Sequence, residues 1–430
     1  MTVHIITLGC SKNLVDSEHL LAQFRAAGYK VLHNAYEEAA EIVIVNTCGF
    51  ILDAKEESVD TVLSYIEDKQ RGNIQKLFVM GCLSERYREE LKKEMPEVDG
   101  FFGVWDMPAI LEALGNTLDR RLLNERELST PSHYAYLKIS EGCNRTCAFC
   151  AIPGIRGAQR SVSIEDLVAE SKGLVSKGVK ELILIAQDLT NYGIDLYDKR
   201  ALAELLKELV KIDNLEWIRL HYAYPTGFPE EVIDLMAAEE KICNYLDIPI
   251  QHVNNEILSS MGRGHDRAKL EKLLKKFRER IPDVALRTTV LTGFPGETEE
   301  AYNELLGFLR EFRFERLGVF PYSHEEDTPA YRKFRDLIPD RVKSDRAGAI
   351  MELQQEISLQ INEEKVGKVF KVLIDRKEGG YFVGRTQYDS PEVDNEVLVE
   401  DNQQLTIGHF YQVKITAAGE FDLYGSSQQA

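Results

Sequence analysis

The sequence predicts an α/β protein in three parts: an N-terminal parallel α/β sheet, a partial (βα)6 barrel, and a small antiparallel β-barrel at the C-terminus. Three observations carry that expectation. In the first part, near-continuously apolar runs alternate with helical runs, as in parallel strands buried on both faces. In the second, strand-like and helix-like runs alternate strictly, which requires parallel strands joined by helical crossovers. In the third, short alternating runs are broken by Gly-Gly and polar turns.

A chain of 430 residues is too long for one ordinary core, and about three domains are expected. They are placed at 1–128, 129–361 and 362–430, with the polar stretch Glu125–Ser132, including Pro131, as the first linker. Hydrophobic residues make up 44% and charged residues 29%, as in a water-soluble globular protein. No apolar run approaches the ~20 residues that span a bilayer, and no basic leader precedes the first strand, so neither membrane nor export is expected. Seven cysteines, an odd number, point to a reducing, cytoplasmic setting rather than a disulfide framework. The net charge of −19 suits a basic protein partner better than a nucleic-acid backbone, whose phosphates are bound mainly by Lys and Arg.

In the first domain, strands are expected at Val3–Leu8, Ile42–Asn46 and Leu77–Met80, and helices at Val15–Ala27, Asp53–Lys69 and Ser84–Lys93. Each strand ends at a cysteine: Cys10, Cys48 and Cys82. Parallel strands place their C-terminal ends on one edge, where open α/β sheets bind ligands, so the three thiols are expected to converge. Gly9, Gly49 and Gly81 beside them are expected to make room for a bulky inorganic group. The bland alternative, three small core residues, does not account for the repeat.

The second domain is expected to supply strands at Tyr134–Ile139, Glu181–Ala186, Trp217–Leu220, Tyr245–Ile248, Ala285–Leu291 and Arg316–Phe320. Functional residues in such a barrel sit at strand C-termini. Those ends carry Gln187-Asp188, His221, Gln251-His252, Thr292 and Tyr322-Ser323. After the first strand comes Cys143-Asn144-Arg145-Thr146-Cys147-Ala148-Phe149-Cys150. Three thiols so close usually converge around a metal centre, since thiolates select zinc or iron–sulfur clusters; the alternative is three buried or incidental thiols. A tetrahedral zinc site wants a fourth ligand, and the nearest histidine, His133, lies ten residues upstream. A 4Fe–4S cluster on three cysteines keeps one iron open for substrate.

This stretch, C-x3-C-x-aromatic-C after the first barrel strand, resembles the radical S-adenosylmethionine (SAM) enzymes. The resemblance implies that Cys143, Cys147 and Cys150 hold a 4Fe–4S cluster whose open iron chelates SAM. It also implies cleavage of SAM to methionine and a 5′-deoxyadenosyl radical. Phe149, Gln187, Asp188, Thr292 and Gly293 are then expected at the SAM pocket. For Gln187-Asp188 the equal alternative is a helix-initiating Asp-x-Thr turn, and for Thr292-Gly293 a simple turn. Arg156 is expected either to pair with a carboxylate or to make an ordinary surface ion pair. His221 and His252 are expected to be hydrogen-bonded structural residues, and Cys243 core filler.

The helical run from Asp340 to Glu364 leads into the third domain, with expected strands at Val369–Asp375, Tyr381–Thr386, Glu396–Val399 and Tyr411–Ala417. It resembles the TRAM module of methylthiotransferases. From Val366 on, six basic side chains against ten acidic ones make it a poor RNA platform. Glu392, Asp394, Glu396, Glu400 and Asp401 are the expected contacts for a basic partner.

All three parts together are similar to the methylthiotransferase family. Leu8-Gly9-Cys10-Ser11-Lys12-Asn13, Phe149-Cys150-Ala151-Ile152-Pro153-Gly154-Ile155-Arg156-Gly157 and Tyr322-Ser323-His324-Glu325-Glu326-Asp327-Thr328 resemble its ribosomal-protein branch. Ser11 and Asp327 depart from the usual proline and glycine. The resemblance implies two 4Fe–4S clusters, the second on Cys10, Cys48 and Cys82, and methylthiolation of an aspartate β-carbon in small-subunit ribosomal protein twelve. It further implies an electron donor and a sulfur source as partners. The alternatives are a tRNA adenosine methylthiotransferase and, from another class, a metal-stabilised protein-binding scaffold.

Overall fold

The computed structural model describes residues 1–401 and 404–428. Its N-terminal sheet is wholly parallel, in the order Lys30–His33, Thr2–Thr7, Ile42–Thr47, Lys76–Gly81, Gly100–Phe101. The central strand Ile42–Thr47 is buried along its whole length, as an apolar run covered on both faces must be. On one face Leu20, Leu21 and Phe24 of helix Ser11–Ala26 pack on Val3, Ile5 and Ile44. On the other, Val62 and Ile66 of helix Leu52–Gln70 and Leu91 of helix Cys82–Glu94 pack on Ile6, Val43 and Val79. The edge strands Lys30–His33 and Gly100–Phe101 are additions to the sequence reading; both are short, and the longer is partly exposed.

The second domain is a six-stranded parallel sheet in the order Arg316–Pro321, Ala285–Thr292, Ile242–Asp247, Trp217–Leu220, Glu181–Ile185, Tyr134–Lys138. Its outer face is closed by helix residues such as Leu174, Leu206, Val232, Leu274, Phe277 and Leu305. Each other domain covers part of its inner face. Near the strand C-termini, Leu14 and Val15 of the first domain pack on Tyr136, Ile183 and Ile185. Near the strand starts, Leu373 and Phe410 of the third domain pack on Trp217, Cys243 and Tyr245. Cys243 is core filler there, as expected.

Helix Asp340–Glu363 carries the chain into a closed barrel of Val369–Glu378, Tyr381–Thr386, Glu396–Glu400, Asp422–Ser427 and Phe410–Ala418. The sequence reading lacked Asp422–Ser427, and one correction follows from it: this strand pairs parallel with Glu396–Glu400, so the barrel is not wholly antiparallel.

A second correction concerns charge. Among the barrel acids, Asp375 receives His133 and Arg385, and Asp389 receives Arg316. Asp394, offered above as a partner contact, accepts from Tyr245 at 2.7 Å and faces Arg287 at 3.3 Å, with its side chain 1% exposed. It is an internal residue. Part of the barrel's acidity therefore meets cations of the sheet rather than solvent. Among the described residues no helix is long and apolar enough to cross a membrane.

Candidate active site between two cysteine triads

Cys10 is the N-cap of helix Ser11–Ala26, Cys48 follows strand Ile42–Thr47, and Cys82 opens helix Cys82–Glu94. The parallel register brings all three to one sheet edge, as the strand–cysteine–helix repeat required. Asn13, fully buried, ties that edge together: its Nδ2 donates to the Leu8 carbonyl at 2.9 Å and the Thr47 carbonyl at 3.1 Å. Asn46 in turn donates to the Asn13 carbonyl at 2.9 Å. The flanking glycines allow close approach of the backbone at this edge. A Cβ at Gly9 would lie 2.7 Å from Cys48 Cβ, one at Gly49 2.7 Å from the Leu83 nitrogen, and one at Gly81 2.6 Å from the Thr47 carbonyl. They admit the neighbouring cysteine-bearing chain.

Burial pushes the Cys48 thiol up and the Cys82 thiol up to about 12, and the charge of Cys10 raises both further. The three sulfurs thus act on one another, and only replacement of their protons by a cation makes them all thiolates together.

The second triad lies in the loop after strand Tyr134–Lys138. Its backbone is tethered from three sides: Cys143 N–H to Gly157, Ala148 N–H to Met261 at 2.8 Å, and Ala330 N–H to the Ala148 carbonyl at 2.7 Å. Arg263 donates to Cys147 Sγ at 3.3 Å, and Tyr224 Oη stands 3.7 Å from the same sulfur. Burial lifts Cys143 to about 11 and Cys150 to about 12. Phe149 is half-buried against Ile257, Met261, Phe294 and Tyr322.

The expected pocket residues divide. Gln187 donates to the Glu141 carboxylate, and its Oε1 is buried with no partner among the described residues. Both Asp188 oxygens are engaged: Oδ2 accepts from Arg145 at 2.7 Å, and Oδ1 from the Thr190 N–H at 2.8 Å and hydroxyl at 2.6 Å. That is the Asp-x-Thr turn, with Arg145 added. Thr292 Oγ1 donates to the Lys343 carbonyl at 3.0 Å. Gly293 holds φ +75°, and a Cβ there would strike the Lys343 side chain. His221 lies 2.9 Å from Ser390 of the barrel, and His252 accepts from Asn254 N–H at 3.0 Å.

Between the triads stands Arg156. It is 2% exposed, so it is no surface ion pair. Its Nε donates to Cys82 Sγ at 3.4 Å, and its terminal nitrogens reach Asn13 at 2.5 Å, Glu141 at 2.6 Å and Asp16 at 3.2 Å. Burial works against charge on Glu141, but Lys138 and Arg156 overcome it and hold the carboxyl at about 2. Farther out, Lys55 and Arg86 of the first domain clamp Glu325 of the second at 2.7 and 3.0 Å. Lys12 places its Nζ 3.0 Å from the centroid of the Tyr222 ring, again across the boundary. Sequence reasoning missed Arg145, Tyr224, Arg263 and these clamps. Arg145 lies inside the motif and was findable; the others announce themselves only through tertiary contact.

The donor chemistry fits iron–sulfur clusters: each triad supplies three soft thiols. Among the described residues no three His, Cys, Asp or Glu side chains stand close enough to hold a single metal ion. A polynuclear cluster, whose thiolates bind separate irons, does not need them to.

Three family models match successive stretches of the chain. The Radical SAM superfamily model matches residues 137–309, Uncharacterized protein family UPF0004 residues 2–103, and the TRAM domain residues 366–427. The chain is 56% identical over 424 residues to the ribosomal protein uS12 methylthiotransferase RimO of Christiangramia forsetii, covering 98% of this chain and 93% of that protein. It is 57% identical to that of Flavobacterium psychrophilum, covering 98% and 97%. In fold it is similar to the radical SAM methyltransferase TsrM of Kitasatospora setae, solved with cobalamin and a [4Fe-4S] cluster, at 14% identity and TM-score 0.58 over 88% of this chain and 78% of that one.

Proposed function

The chain belongs to the RimO family of ribosomal protein uS12 methylthiotransferases, and on that premise we propose that it methylthiolates the β-carbon of an aspartate in uS12 (small-subunit protein twelve) in the cytoplasm. The observation that carries this is that Arg156, on the short helix that follows Cys143, Cys147 and Cys150, donates across the domain boundary to Cys82 of the other triad. Cys143, Cys147 and Cys150 would hold one 4Fe–4S cluster and Cys10, Cys48 and Cys82 the other. When bound, the first group supplies the electron that cleaves SAM and the second the sulfur that is transferred, chemistry no side-chain acid or base performs.

The chain's own residues position and insulate. Arg263 and Tyr224 address Cys147, Arg145 fixes the cluster loop to Asp188, and Arg156 carries positive charge to Cys82. Gln187 offers an unpartnered carbonyl oxygen beside Glu141, a place for an N–H of SAM. Phe149 walls the loop with apolar surface. An electron donor and a sulfur source complete the partner set. The net charge of −19 favours encounter with a basic protein over RNA.

The test is anaerobic reconstitution followed by incubation with SAM, a reductant and either uS12 or adenosine-containing tRNA. About eight irons per chain and a methylthio mass gain on uS12 are expected. A gain on tRNA alone, or zinc in place of iron, would overturn the reading.

A further inference from the structure

Lys12 is a buried cation with no carboxylate paired to it among the described residues. Only 7% of it is exposed, and among the described residues its ammonium has no hydrogen-bond or ion-pair partner. A desolvated ammonium normally needs a counter-charge. Its position in the helix makes matters worse. Lys12 occupies the first turn of Ser11–Ala26, which carries no acidic residue, so it adds to the positive end of the helix dipole. Asp16, one turn on, is committed to Lys138 and Arg156.

What holds Lys12 there is Tyr222, whose ring lies under the ammonium. That contact is built with care. Tyr222 sits at φ +62°, a conformation non-glycine residues seldom adopt. Its N–H is pinned by Asp247 at 3.1 Å and its carbonyl by the Leu189 N–H at 3.2 Å. Strain at such a residue persists only where surroundings impose it, and it gathers at ligand sites. Lys12 is two residues from Cys10, and Tyr222 lies in the loop just after strand Trp217–Leu220, at the C-terminal edge of the sheet. The ammonium therefore stands at the boundary between the cysteine-bearing edge of the first domain and the strand ends of the second.

We propose that Lys12 is the substrate-carboxylate anchor: its ammonium takes the side-chain carboxylate of the target aspartate and so presents the adjacent β-carbon to the reaction. This rests on the uS12 reading above. Aspartate is the one part of that substrate carrying a negative charge at the reacting position, and Lys12 supplies the missing complement. A neutral isostere would leave Lys12 buried and bare, so the site should reject it.

The experiment compares wild type with Lys12→Met and Lys12→Arg, each loaded with iron, on uS12 and on uS12 whose target aspartate is changed to Asn. Binding without reductant, by fluorescence anisotropy of labelled uS12, gives a readout free of turnover. Wild type should prefer the aspartate form by about tenfold or more, the range of a charge-assisted hydrogen bond. Lys12→Met should bring that ratio to near one in both binding and kcat/KM, and Lys12→Arg should restore part of it. A merely structural lysine would lower both forms equally. If Lys12→Met keeps the wild-type preference, or instead shifts only the reduction potential of the N-terminal cluster, the proposal falls. Failure of wild-type enzyme to modify uS12 would strike the functional reading instead.

Discussion

Arg156 Nε donates to Cys82 Sγ at 3.4 Å across the boundary between two domains. One guanidinium thereby belongs to both cysteine sites: it grows from the loop that carries Cys143, Cys147 and Cys150, yet its charge is spent on the other triad. Planar and forked, it reaches an amide, two carboxylates and a sulfur at once, which a lysine does not.

Replacing Arg156 with Gln should strip that sulfur of its donor and leave Asp16 and Glu141 under-neutralised. Breaking a buried ion pair costs about 3–5 kcal/mol, so melting temperature should fall by several degrees. Hydrogen bonds to cluster ligands raise reduction potential, so that of the N-terminal cluster should move negative in an EPR-monitored titration. An unchanged potential would mean the contact is mechanical only.

The cysteine assignments separate by iron count. Cys147→Ala should keep about half the iron and lose 5′-deoxyadenosine formation. Cys48→Ala should also keep about half, release 5′-deoxyadenosine, and transfer no methylthio group to uS12. Normal transfer by the latter would reduce Cys48 to a core thiol.

Gly81→Ala tests the sheet edge. At φ +97° a Cβ is strained and would meet the Thr47 carbonyl at 2.6 Å, prising the Cys48 and Cys82 segments apart. A loss of about 2 kcal/mol or more in denaturant melts is expected, together with depleted iron at the N-terminal site alone. Full iron occupancy would show that the triad tolerates a wider spacing.

Acid should release the barrel. Burial pushes Asp375, Asp389 and Glu181 up, but Arg385, Arg316 and Arg219 outweigh it and hold all three below the ordinary carboxylate range. Their contribution is complete above the unfolded values of about 4 and lost as pH falls through the lower folded ones. Asp394, raised by burial, runs the other way and offsets part of the loss. Trp217, edge-on to Phe410 of the barrel at 4.7 Å, is a reporter once Trp105→Phe removes the second tryptophan. Its emission should change below about pH 4; a constant signal down to pH 2 would contradict the scheme.

Much of this was legible in the sequence because burial and periodicity coincide. Ile42–Thr47 and Glu181–Ile185 are buried on both faces, and apolar runs reported them faithfully. Lys30–His33 was missed because it is a short, partly exposed edge strand, and Asp422–Ser427 because polar and glycine residues mask a strand whose parallel partner is remote. The convergence of Cys10, Cys48 and Cys82 on one sheet edge was readable from the strand–cysteine–helix repeat. Lys12 was not, since a lysine in a helix's first turn looks solvated until Tyr222 covers it. Counting barrel acids misled for the same reason: charge is visible in a sequence, but its direction is not, and Asp389 and Asp394 point inward.

That inward charge bears on how the C-terminal barrel can be exchanged among relatives. Arg219, Arg287 and Arg316 rise from three strands of the six-stranded sheet and meet the Gln387 carbonyl, Asp394 and Asp389 of the barrel. A graft from a cousin lacking Asp389 would strand the Arg316 guanidinium in a dry seam, where an unpaired charge is costly, while Arg219 would keep Glu181 and Arg287 would keep Asp247. The barrel is thus keyed to its own sheet, and swaps that aim to redirect substrate choice must carry both halves of the lock.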